Sequence, residues 1–155
     1  MAKTPEFDLA AAHRYFAAHC FNSAWELIDK SDRSAEEERL MVALNQASIY
    51  HWLNRPDCDP QRLSVGYWQA SRIQSILGNA SEARRHAEVC LSYSAALAPF
   101  YLGYAHEAMA RALLLTGDAA AGAEHLAQAM ALARTIDNQD EREVLESDLV
   151  GLAQA

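Results

Sequence analysis

Apolar positions recur along this chain at three- and four-residue intervals, the spacing that lines one face of a helix, and nowhere alternate over a strand's length. The intervals between apolar runs hold helix start and stop signals. Ser34-Ala-Glu-Glu37 has the form of a capping box, in which hydroxyl and carboxylate each satisfy an orphan backbone amide. Asp59-Pro60 places a capping carboxylate before a proline suited to the first helical position. Gly78-Asn79 ends one helix and opens the next, with Glu82 spaced for a second box, and Gly117-Asp118 repeats the arrangement. Asn138-Gln-Asp-Glu141 opens a last helix with acid at its positive end. The pattern predicts seven helices, over 7–29, 34–54, 60–77, 80–96, 99–116, 119–135 and 138–153. The linkers are short, so consecutive helices should pack antiparallel. The longest irregular stretch, 54–60, reads as too short to separate one core from another, so 1–155 is expected to form a single domain.

Shifting the chain by 39 residues superposes Gly78-Asn79-Ala80 on Gly117-Asp118-Ala119, Arg72 on Arg111 and His86 on His125. The small residues Ser71 and Ala83 fall on Ala110 and Gly122. The units Tyr67-Trp-Gln-Ala-Ser-Arg72…Leu77-Gly-Asn79…Ala83 and Tyr104…Ala110-Arg111…Thr116-Gly-Asp118…Gly122 resemble tetratricopeptide (TPR) hairpins. They depart from that family in their spacing, 39 against about 34, in lacking its terminal proline, and in placing His106 where it favours a large aromatic. Cys20-Phe-Asn-Ser-Ala-Trp25, His51-Trp52 and Asp140-Glu-Arg142 are also similar to bacterial TPR-like proteins without an assigned activity. The resemblance implies an all-α, right-handed α-solenoid: TPR-like hairpins at 7–54, 60–96 and 99–135, closed by a capping helix at 138–153. It further implies a concave groove lined by the first helix of each pair, through Val65, Trp68, Arg72, Ser75 and Ile76, then Tyr104, Glu107, Arg111, Leu114 and Leu115.

Within that set, Trp68, Arg72, Tyr104, Glu107 and Arg111 have the chemistry of recognition. The arginines offer planar paired donors to a carboxylate or phosphate, and the aromatics offer flat apolar contact. Glu107 and Arg111 stand one helical turn apart, so a structural polar network with Arg72 is the competing reading. The expectation is non-catalytic binding of a peptide, a protein segment or a small acidic ligand. A homodimer or assembly protein is the second reading, and an enzyme or metal protein using its histidines the third.

Composition narrows the partners. The chain is 155 residues with a formal net charge of −8, which disfavours nucleic acid. Charge is uneven: 61–100 nets +2, while 101–155 nets −6. Cys20, Cys58 and Cys90 are odd in number and form no C-x-x-C, which fits a reducing compartment. No apolar run has the length of a membrane span, and the N-terminal residues lack an apolar signal core, so a cytoplasmic protein without membrane contact is expected. Neither a cofactor nor a metal is expected. His86 and Cys90 share a helical face at a spacing suited to zinc, but no second close pair accompanies them. His13 and Cys20 lie two turns apart, too far for proton transfer. The repeat-equivalent His86 and His125 suggest packing roles. Phe16, Phe21, Trp25, Tyr50 and Trp52 read as core between the first two helices rather than as a cation cage. Val144, Leu145, Leu149, Val150 and Leu152 give the last helix an apolar side against its acids.

Overall fold

The computed structural model describes residues 3–154, and among them there are seven helices and no strand. These are α1 (Leu9–Asp29), α2 (Ala35–Leu53), α3 (Pro60–Ile76), α4 (Ala80–Ser94), α5 (Pro99–Leu115), α6 (Ala119–Ala133) and α7 (Gln139–Ala153). Helix α1 starts two residues later than the pattern predicts because Asp8 is its N-cap, accepting from the Ala11 amide at 2.9 Å. The box at the head of α2 is complete: Ser34 Oγ accepts from the Glu37 amide, and Glu37 accepts from the Ser34 amide at 2.8 Å.

The two glycine turns are alike. Gly78 and Gly117 have φ of +75° and +81°. The Asn79 amide reaches back to the Gln74 carbonyl at 2.9 Å, and the Asp118 amide to the Leu113 carbonyl at 3.0 Å. This six-to-one closure satisfies a terminal carbonyl and needs a left-handed residue, so glycine is chosen by conformation rather than by space. The caps that follow differ. Asp118 accepts from the Ala121 amide at 3.1 Å, but Asn79 makes no cap bond and donates instead to Gln74 Oε1. The box expected of Glu82 therefore does not form, and Glu82 pairs with Arg85.

Helix packing divides the chain into two compact units, one ending at Asp59 and the other beginning at Pro60. The division falls inside the segment 54–60, so it is marked by packing rather than by linker length.

In the first unit α1 and α2 meet on Ala17, Cys20, Ala24, Met41 and Ile49. Ser48 Oγ donates to the Ala17 carbonyl at 2.7 Å, which requires a close approach of the two backbones. The other buried side chains of that seam are small or slender, and the one buried ring among the described residues there is His13. Phe16 is 42% exposed and Tyr50 59%, which corrects their assignment to the core.

In the second unit α3 packs on α4 and α5, α4 on α5, α5 on α6 and α7, and α6 on α7. The small residues read from the repeat do bring helices close. Ser71 Oγ donates to the Ala83 carbonyl at 2.8 Å, and a Cβ built on Gly122 would lie 3.0 Å from Leu114 Cγ and 3.5 Å from the Ala110 carbonyl oxygen. Helix α7 buries Leu145 and Leu149 against Ala129, Ala133 and Ile136, and Leu152 is also buried, while Val144 and Val150 are left exposed, contrary to the single apolar side expected of them.

Candidate functional site: a groove in the second unit

A groove of about 530 Å³ lies within the second unit. Arg72 and Ser75 of α3 line one side, and Arg111, Leu114 and Leu115 of α5 continue it. Ala123 and Leu126 of α6 and Leu152 and Ala153 of α7 form the remainder. The polar atoms therefore come from α3 and the middle of α5, and the apolar surface from the end of α5 together with α6 and α7.

Of the five recognition residues expected from sequence, Arg72 and Arg111 stand on this groove. Trp68, Tyr104 and Glu107 lie in the packing beside it and are tied to other groups. Glu107 is fully buried. One of its carboxylate oxygens accepts from Trp68 Nε1 at 2.9 Å, and the other accepts from Arg111 Nη2. Trp68 and Glu107 occupy equivalent places 39 residues apart, so the bond joins α3 to α5 across the repeat. A buried carboxylate needs such donors because its desolvation is otherwise uncompensated. Tyr104 packs edge-on to Trp68 and Phe100, and its hydroxyl donates to Asp148 Oδ2 on α7 at 2.7 Å. Burial, then the adjacent Asp148 carboxylate, holds that phenol well above its usual titration range. The structural network that competes with binding is thus present for Trp68, Glu107 and Arg111.

Arg111 belongs to both settings. Its Nη2 is committed to Glu107, while its Nε is buried and has no hydrogen-bond acceptor. The guanidinium is fixed in place by a salt bridge yet keeps an unanswered donor.

The residues with metal or nucleophilic potential are drawn into packing. Cys90 is fully buried beside Ser64 and Ser94 at 3.9 Å each, and burial pushes its thiol up to about 11. His86 faces Tyr67, with ring centroids 6.1 Å apart, and burial lowers its pKa. Among the described residues no three His, Cys, Asp or Glu side chains converge as a metal site would require. Two imidazole pairs do meet directly: His13 with His51 in the first unit, and His106 with His125 in the second.

The groove residues on α6 and α7 escape the sequence reading. The repeat assigns lining to the first helix of each hairpin, and nothing in the local pattern indicates that α7 also lies against α5. Leu152 carries a weak signal, as an apolar residue at the end of an amphipathic helix. Comparison with protein-family models, curated proteins and solved structures finds no match to this chain.

Proposed function

We propose that this chain is a TPR-like, cytoplasmic, non-catalytic binding protein whose groove takes an acidic segment of a partner protein or peptide. The observation that carries the reading is Arg111, which lines the groove, is held there by the buried Glu107 and keeps 21% of its side chain exposed. Arg72 lines the same groove at the equivalent repeat position. Two guanidiniums thus line one groove of a chain whose net charge is −8. A carboxylate-bearing segment would bring complementary charge to these two cations, and its aliphatic side chains would cover Leu115, Leu126 and Leu152. The repeated glycine turns and the packing of α3 on α5 support an array of hairpins.

The test captures partners on wild-type protein and on Arg72→Glu and Arg72→Ala variants, each with a native melt. Arg111 is left intact because reversing its charge would set two carboxylates together in a buried position. The expected result is a partner bound by wild type, weakened about tenfold or more by either variant and by added salt, with an acidic contact segment mapped by cross-linking. Equal retention on all three proteins would refute the groove.

Self-association is the second reading. Val144 and Val150 on α7 and Met130 on α6 are exposed apolar residues in one unit. A mass that rises with concentration, and returns to the monomer value in Val150→Glu, would favour it.

A further inference from the structure

We propose that the His106–His125 contact is a proton-operated clasp that loosens the α5–α6 wall of the groove when the pair takes up a second proton.

The geometry is that of a one-proton hydrogen bond. Nδ1 of His106 and Nδ1 of His125 are 2.9 Å apart, with ring centroids at 5.2 Å and planes inclined by 32°. One Nδ1 must donate and the other accept, so the neutral rings hold opposite tautomers. A first added proton can be accommodated, since an imidazolium still donates to a neutral partner. A second cannot: both Nδ1 atoms then carry hydrogens, and two cations face each other. The two uptakes belong to the pair and should separate widely.

The carboxylates on the helices that pack against the pair are engaged by other groups or exposed to water. On α4, Glu82 and Glu88 are engaged by Arg85 and Arg84. On α5, Glu107 is engaged by Arg111; on α7, Asp148 keeps its charge but is exposed to water; and the charged groups of α3, Arg62 and Arg72, are themselves cations. On α6, Glu124 adjoins His125 in sequence but is exposed to water. Burial lowers the pKa of His106, and the only charged neighbour that adds to this is His125.

Position links the clasp to the groove. His106 precedes Glu107, the anchor of Arg111, and His125 precedes Leu126, which lines the groove. Separating the two rings would draw α6 from α5 at these residues. Only this consequence for binding rests on the groove reading.

The architecture contains its own comparison. In the preceding hairpin the equivalent positions hold Tyr67 and His86, a ring contact with one basic nitrogen heterocycle instead of two. In the first unit the direct pairing recurs: His13 Nδ1 lies 2.8 Å from His51 Nδ1, between α1 and α2.

The test is hydrogen exchange resolved by segment, between pH 7 and pH 5, corrected for intrinsic rates. In wild type, amides of α5–α6 should lose protection by about tenfold more than those of α3–α4, the effect of one unit of differential proton affinity. In His106→Tyr, which copies the Tyr67–His86 arrangement, the excess should vanish. An excess that is absent in wild type, or persists in a folded His106→Tyr, overturns the clasp. Imidazole nitrogen-15 shifts of the unmutated protein give an independent readout that needs no variant. Opposite tautomers and two separated protonation steps are expected, whereas two independent ordinary titrations overturn the proposal. Neither measurement uses a groove ligand, so a missing partner leaves the clasp standing, and its failure leaves the groove untouched.

Discussion

Single residues in this protein do unequal work for similar chemistry. Glu107 and Arg111 form one ion pair, but Glu107 is fully buried and Arg111 is 21% exposed at its side chain. Removing the arginine strands a buried charge, whereas removing the carboxylate leaves a cation that can reach water. Arg111→Ala should therefore cost about 3–5 kcal/mol and Glu107→Gln only about 1–2 kcal/mol, read by urea denaturation. Equal costs would place the burial elsewhere. The cysteines separate in the same way. With its thiol pushed up to about 11, Cys90 presents on the order of one thiolate in a thousand at pH 8. Alkylation of the native protein should modify half-buried Cys58 first and leave Cys90 intact until unfolding.

At the scale of the helix, identical punctuation hides different bonds. Gly78 and Gly117 both hold positive φ with open space where a Cβ would stand. Alanine at either should cost about 1–2 kcal/mol from backbone conformation alone. The caps beyond them should differ. Asp118→Ala should cost about 1 kcal/mol, and Asn79→Ala much less, because Asn79 makes no cap bond. Thermal melts of the four variants would resolve the contrast. Much of this level is legible in the chain: the Ser34 box, both glycine turns and the Asn138 cap, which accepts from the Glu141 amide at 3.0 Å. Each depends on residues within five positions of one another. Asn79 departs from the local pattern for a physical reason, since its side-chain amide has a competing acceptor in Gln74 just across the turn.

Across the whole molecule, the histidines set the response to acid. Burial lowers the folded-state pKa values of His51, His86 and His106 below the ordinary 6.5. The unfolded chain then binds more protons as pH falls, so stability is full above about pH 7 and declines as pH drops through 6.5 and below. Denaturation midpoints at pH 7.5 and 5 should show the decline, and His51→Phe should flatten some of it. The packing of α7 matters equally to the second unit. Leu149 is fully buried against α6, and Leu149→Ala should cost about 2–5 kcal/mol.

By itself the sequence determined, over the described residues, an all-helical fold, the order and near-limits of seven helices, and two related hairpins with small residues at their seams. Those properties come from 3.6-residue periodicity and from caps, which act over a few residues and are written locally. Tertiary structure decided which of the candidate residues meet. It buried Glu107 between Trp68 and Arg111, set the Tyr104 hydroxyl on Asp148, brought α7 against α5 to complete the groove, and left Phe16 and Tyr50 exposed at the side of the α1–α2 seam. It also joined His13 to His51 and His106 to His125. Such contacts depend on how closely helices approach and how they are turned about their axes, and a helical period in one segment carries no record of the face its neighbour presents.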